Sequence, residues 1–394
     1  MSTVIERSGA EAETERWQPR ATVEPSDRRW PAYAVLFAAV CVMSGVLWDI
    51  SWHQSIGRDT FWTPAHMAIY LGGVVAGVSC GWLALKITFG GTPAEKATTV
   101  RFWRIFHAPL GAWVAIWGAF AMITSAPFDD WWHNAYGLDV EILSPPHMVL
   151  AAGIIAIQVG ALLMLAAHQN RAGGTRADRW LYVVAGGILL VMVVTVITEE
   201  TIPNTWHSAL PYKILAGALP LVFVGMARSS RLRWPATAMA VVYWLTVSVI
   251  GWILQLFPAQ PLLAPIFNPI DHFVAPFPPL MLVPAGIGVD LLLQRWKGND
   301  WALTPVLATT FVVLLVAGLW PWGEFILSPA ARNWFFMADQ WSYQSQLGAA
   351  RYEFWGVQSD PLFTTGSAAW ILGLGMVSTR LGLWWGGWMA KVKR

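Results

Sequence analysis

Apolar runs of about 20 residues recur along the whole chain, separated by short polar or basic connections. A helix of that length rises about 30 Å, the thickness of a bilayer's hydrocarbon core. Lipid offers no hydrogen-bond partner to a bare backbone, so such runs can fold as helices and little else. Of the 394 residues, 56% are hydrophobic and only 12% are charged, against about 25% charged in soluble domains. The expected fold is an all-α polytopic membrane protein of about ten transmembrane helices. They are placed near 31–52, 64–88, 107–127, 145–167, 180–198, 211–227, 235–256, 276–295, 302–320 and 364–388.

Charge sets the expected orientation. Every second connection is basic: Lys96, Arg101 and Arg104; Arg171, Arg176 and Arg179; Arg228, Arg231 and Arg233; Arg295 and Lys297. Both chain ends are basic too, with Arg28 and Arg29 at one and Lys391, Lys393 and Arg394 at the other. The positive-inside rule then places both termini in the cytoplasm and makes successive helices hairpins that open outward. The setting expected is a bacterial inner membrane, crossed many times. No cleaved leader is expected, because the first apolar run starts near Trp30 and many more follow. Residues 1–29 read as a disordered cytoplasmic tail, 30–170 as a four-helix part and 171–320 as five further helices. Residues 321–362 read as a periplasmic aromatic-rich segment with room for an interfacial helix, and 363–394 as the last helix with a basic tail. A net charge of +2 argues against a nucleic-acid partner. The two cysteines, Cys41 and Cys80, lie mid-run and read as small buried hydrophobes, so no thiolate site is implied. Most of the 27 tryptophans cluster at run ends, as interfacial belts require.

The chemistry concentrates at two outward hairpin ends. Between Trp48 and Tyr70 stand Asp49, His53 and His66, spaced Asp-x3-His-x12-His. Residues four apart share a helix face, so Asp49 and His53 lie together at the end of one helix. Thr63 reads as an N-cap and Pro64 as the first helical residue of the next, which places His66 in its first turn. One carboxylate and two imidazoles then meet, a donor set for copper, zinc or iron. Asp129, His133 and His147 repeat the pattern as Asp-x3-His-x13-His, with Ser144 and Pro145 at the cap and first helical positions. Trp52-His53 answers Trp132-His133, Gly57 answers Gly137, Asp59 answers Asp139, and His66-Met67 answers His147-Met148. Arg58 and Asp59 can pair with each other, or Arg58 can orient Asp49 from outside the donor set. Asp130 is the alternative to Asp129, and Asp139 and Glu141 read as solvated loop carboxylates. His107, His168, His207 and His272 read as isolated interfacial histidines. Later hairpins echo the first two faintly, in Glu199, Glu200 and His207 and in Asp271-His272, without completing a triad.

These residues resemble the C subunit of the copper membrane monooxygenases, the particulate methane and ammonia monooxygenases. The resemblance is carried by Trp52-His53-Gln54, Arg58-Asp59-Thr60 and Thr63-Pro64-x-His66 around the first triad. It covers roughly residues 30–170, and nothing in 180–394 takes part. The second triad resembles the neighbouring site of that subunit, where Asn usually stands in place of Asp129; the carboxylate adds a charge. The resemblance implies copper at both triads, with Asp49, His53 and His66 holding the active or relay ion. It implies O2 activation, oxidation of a small apolar substrate or ammonia, reduced quinone as electron donor, and A- and B-type partner subunits. From spacing alone, two Asp/His/His sites equally suit copper or zinc uptake or storage, and a structural role with vestigial sites is a third reading. Few polar residues interrupt the runs: Gln158, Thr195, Thr198 and Gln255 are scattered, whereas a transport path needs a polar lining.

Overall fold

The computed structural model describes residues 29–136, 144–171 and 174–393, and the expected tail lies almost wholly outside them. Two helical hairpins come first: α1 (Trp30–Ser55) with α2 (Pro64–Gly90), and α4 (Leu110–Tyr136) with α5 (Pro145–Asn170). A five-residue helix, α3 (Pro93–Ala97), and a small antiparallel ribbon of β1 (Val100–Phe102) and β2 (Phe106–Ala108) join them. Then follow α6 (Arg176–Val196), α7 (Leu210–Ser229), α8 (Pro235–Leu254), α9 (Val283–Arg295), α10 (Asp300–Leu327) and α11 (Thr365–Met389). The chain is an all-α polytopic membrane protein, and eight of these helices are long and apolar enough to cross a bilayer.

Two of the ten expected spans fall short of that standard. The run at 276–295 has enough apolar residues, but Pro276, Pro278 and Pro279 lack amide hydrogens and prevent a helix from starting. Helix α9 therefore has only 13 residues, a rise of about 20 Å. The extended stretch ahead of it is buried at Phe277, Leu280 and Leu282. Its backbone is satisfied by side chains: the Leu280 amide donates to the Tyr243 hydroxyl at 3.0 Å, and Trp322 Nε1 donates to the Pro279 carbonyl at 2.9 Å. Buried irregular backbone is tolerated on this condition. Helix α11 is long enough, but its glycines, hydroxyls and Arg380 make it more polar. Arg380 lies 4.0 Å from the centre of the Trp301 ring.

Packing divides the helices into two intimately joined groups. Helix α2 packs on both α1 and α4, and α1 also packs on α5. The α4–α5 seam is made of glycines seven apart, Gly111 and Gly118 against Gly160 and Gly153. A Cβ on Gly118 would stand 2.7 Å from the Gly153 carbonyl oxygen, so the two backbones touch, as small residues allow between helices in lipid. In the second group α11 lies along α7, and the Ser378 hydroxyl accepts from the Leu221 amide at 2.9 Å, beside the helix-interior Pro220. Asp290, buried in α9, accepts from the amides of Ala236 and Thr237 at 3.1 and 2.8 Å, placing a carboxylate at the start of α8.

The two ends of the bundle differ in charge. One end gathers the basic connections and both termini of the described chain. There Asn170 donates to the Met389 and Val392 carbonyls, Arg171 to the Lys393 carbonyl, and Arg29 pairs with Asp178 at 3.7 Å. Asp49, Asp59, Asp129, Asp271, Asp339 and Asp360 belong to the other end. There the segment after α10 folds over the bundle instead of forming an interfacial helix. Its regular structure is limited to short 3-10 turns at Pro329–Ala331 and Gly348–Tyr352, and α10 itself runs through Pro321 to Leu327. His207 is sandwiched here between the Trp320 and Phe354 rings, each 3.6 Å away, with Nε2 3.3 Å from the Trp320 carbonyl.

Replacing Gly118 with Val forces a side chain into the α4–α5 contact. The expected loss is about 1–3 kcal/mol, read as a lower unfolding midpoint in detergent. Gly81→Val, where a Cβ meets nothing within 4 Å, should leave the midpoint unchanged.

Candidate metal centre

The first hairpin end is held by segments from the far half of the sequence. Ser51 and Ser55, one turn apart in α1, are fully buried. Ser51 donates to the Val274 carbonyl at 2.5 Å, and Ser55 accepts from the Val274 amide at 2.8 Å. Gln54 donates to the Pro276 carbonyl at 3.3 Å, and its own carbonyl accepts from the Tyr343 amide at 3.1 Å. The Leu262 amide reaches the Ile56 carbonyl at 2.9 Å, and the Trp52 ring packs on Phe273. Gly57 ends the helix with φ +87°, in direct reach of the Tyr343 hydroxyl. Only glycine adopts that conformation without strain.

The loop from Arg58 to Thr63 is fixed as firmly. Trp52 Nε1 donates to the Arg58 carbonyl at 2.9 Å. The Thr60 amide donates to the Thr63 hydroxyl at 2.7 Å, and the Thr63 amide returns a bond to the Thr60 carbonyl at 2.9 Å. Thr63 does occupy the N-cap position of α2, but its hydroxyl closes this turn rather than capping the helix. The Thr60 carbonyl also lies 2.9 Å from His66 Nδ1. A carbonyl only accepts, so Nδ1 carries the hydrogen; in the neutral ring Nε2 then presents its lone pair on the opposite side, as supported metal-ligating histidines do.

His66 Nε2 stands 3.1 Å from Asp49 Oδ1, and His53 Nε2 stands 3.7 Å from Asp49 Oδ2. Asp59 comes in as well: its Oδ2 is 3.6 Å from His53 Nε2 and 3.4 Å from His66 Nε2. Asp49 Oδ1 is buried with His66 Nε2 3.1 Å away, a donor to it only when that ring is protonated, and no lysine or arginine pairs with Asp49 or Asp59 among the described residues. Arg58 pairs with neither carboxylate; its part in the loop is the backbone bond to Trp52. A buried carboxylate oxygen facing the Nε2 of a neutral imidazole fits a bound cation, and imidazole with carboxylate suits a divalent transition metal. The His53 side chain is 48% exposed and that of His66 20%, so the cluster opens to solvent on the His53 side.

The second hairpin is partly described. Asp129 Oδ1 lies 3.4 Å from His147 Nε2, joining the end of α4 to the first turn of α5. Asp130 instead engages Asn134 in its own helix. His133 lies on α4 four residues after Asp129; its side chain, and Gly137, Asp139 and Glu141 of the loop, lie outside the described residues. Tyr70, one turn beyond His66, stands with its ring centre 6.2 Å from that imidazole. Asp49, Asp59 and Asp129 are all within electrostatic reach of its hydroxyl.

Elsewhere on this end, His272 Nδ1 is 2.6 Å from Asp271 and Nε2 is 3.3 Å from Asp339. Bonds from His272 and Gln340 hold the Asp271 carboxyl below the usual carboxylate range. Asp339 comes from the segment after α10, so sequence proximity to the fourth hairpin gives no sign of it. Asp59 carried a weak sign, as an acidic residue in the short loop between two candidate ligands. Protein-family models, characterised proteins and solved structures yield no match to this chain.

Gly57→Ala should cost about 1–3 kcal/mol through its positive φ and its collision with Tyr343. Adding Tyr343→Phe should recover only part of the loss in unfolding midpoint, because the backbone strain remains.

Proposed function

We propose that the chain is a subunit of a copper-dependent membrane monooxygenase, with metal held at the acidic end of the helix bundle. The observation that carries this reading is the convergence of Asp49, His53 and His66 at one hairpin end, around the buried Asp49 Oδ1. Asp129 and His147 approach each other in the same way at the adjacent hairpin, with His133 as the third candidate. Bound copper would activate O2 so that one oxygen atom enters a small apolar substrate or ammonia. The protein's own part is to bind and orient. His66, bonded to the Thr60 carbonyl, holds its Nε2 inward. His53, the most exposed donor, leaves a face toward solvent by which small molecules reach the site. Copper rather than zinc, quinol as electron donor and A- and B-type partners follow from the sequence resemblance over residues 30–170. The positive-inside rule puts the basic end in the bacterial cytoplasm, the metal ends in the periplasm, and favours ten crossings.

A second reading, metal uptake or storage, is favoured by the same half-exposed His53. Against a transport path, three of the four polar residues that interrupt the apolar runs bond to nearby backbone. Gln158 donates to the Ala39 carbonyl at 3.2 Å, Gln255 to the Gly251 carbonyl at 3.0 Å, and Thr195 to the Val191 carbonyl at 2.8 Å.

Metal content and copper EPR of the protein in lipid nanodiscs separate these readings. About two copper ions per chain, nitrogen coupling in the spectrum and loss of one ion in each of His53→Ala and His147→Ala are expected. Zinc in place of copper, or variants indistinguishable from wild type, would overturn the oxygenase reading.

A further inference from the structure

We propose that Asp59 is a fourth donor at the first centre, making it a site of two imidazoles and two carboxylates built for a divalent ion. The inference rests on the reading of this hairpin as a metal site, and adds a residue that the Asp-x3-His-x12-His pattern leaves out.

Geometry is the first support. Each imidazole nitrogen faces an oxygen of each carboxylate, at 3.1, 3.4, 3.6 and 3.7 Å; Asp49 turns Oδ1 to His66 and Oδ2 to His53, whereas Asp59 turns the single oxygen Oδ2 to both rings. Donors about 2.0–2.1 Å from one ion stand about 2.9 Å apart in a square and about 3.4 Å apart in a tetrahedron. The two distances from Asp59 Oδ2 to the rings, 3.4 and 3.6 Å, lie at and just above the tetrahedral value. Ligand atoms of Asp49, His53 and Asp59 all lie within 4.8 Å of one another, a grouping that includes Asp59 and leaves out His66, which Asp59 Oδ2 approaches to 3.4 Å.

Preorganisation is the second support. Asp59 sits between residues whose backbones are fixed on both sides. Gly57 is set against Tyr343, the Arg58 carbonyl is held by Trp52, and Thr60 is bonded through both its amide and its carbonyl. A solvated loop carboxylate needs none of this. The same Thr60 carbonyl orients His66, so one turn positions two donors.

Charge is the third. Two carboxylates stand together without a lysine or arginine partner among the described residues. Neutral imidazoles leave a charge of −2, which a divalent ion cancels and a monovalent ion does not. The donor set therefore favours Cu2+ or Zn2+ over Cu+. Replacing Asp59 with Asn should raise the Cu2+/Cu+ reduction potential.

The test uses the full-length protein in nanodiscs with Zn2+ and Cu2+ as probes, each measured by chelator competition. Removing even a residue that only supports a ligand typically costs 10–100-fold in metal affinity, so Asp59→Asn should weaken Zn2+ binding at the first site by at least about tenfold. It should also change the Cu2+ EPR spectrum. Asp59→Cys, loaded with Co2+, should gain a near-ultraviolet thiolate-to-metal charge-transfer band that wild type, with Cys41 and Cys80 only, lacks. This positive signal decides the matter if Asp59→Asn does not fold. Wild-type affinity in Asp59→Asn, or a folded Asp59→Cys protein that binds Co2+ without the band, overturns Asp59 as a donor and leaves a three-donor site. Absence of Zn2+ and Cu2+ binding in wild type overturns the metal reading itself.

Discussion

Every backbone amide and carbonyl in a membrane protein must find a partner inside the protein, and this constraint shapes the whole chain. Helices meet it along the apolar runs. Where prolines forbid a helix, at 276–282, side chains meet it instead: Tyr243, Trp322 and Gln54 each bond that extended stretch. Polar chemistry is thereby pushed to the helix ends, where water and loop backbone are available. The candidate donors accordingly lie in the last turns of α1 and α4, the first turns of α2 and α5, and the short loop between α1 and α2.

The end of α1 is the point on which the two halves of the sequence meet. Ser51, Gln54, Ser55 and Ile56 bond to residues 262, 274, 276 and 343, more than 200 positions away. Buried hydroxyls and carbonyls with such partners stabilise only when the pairing is complete, since an unpaired buried polar group costs about 1–3 kcal/mol. The second half of the chain thus does more than add helices. It fixes the end of α1, and with it the directions of Asp49 and His53.

A site assembled this way is rigid behind and open in front. His66 and Asp49 are held by the turn at Thr60 and by burial, while His53 remains accessible. The arrangement explains why a loop carboxylate such as Asp59 can reach the imidazoles: the loop is too constrained to let it turn away.

Much was legible in the sequence because it is local. Length and apolarity mark the helices, spacing of four puts Asp49 beside His53, and Thr63-Pro64 and Ser144-Pro145 mark where α2 and α5 begin. Asp129 and His147 also lie within one hairpin, so hairpin closure alone brings them near. Three features needed the tertiary structure. The apolar run at 276–295 counts as a span by composition, yet its prolines leave a 13-residue helix and an extended strap held by distant side chains. Asp59 reads as a loop charge, and its approach to both imidazoles follows from the φ of Gly57 and from bonds at Arg58 and Thr60. The pairing of His272 with Asp339 joins segments about 70 residues apart. Sequence therefore determined which elements form and which donors share a hairpin, because helix periodicity and apolar length act over short range. The tertiary fold decided which loop carboxylates face those donors and what holds them, because that depends on hydrogen bonds between segments far apart in the chain.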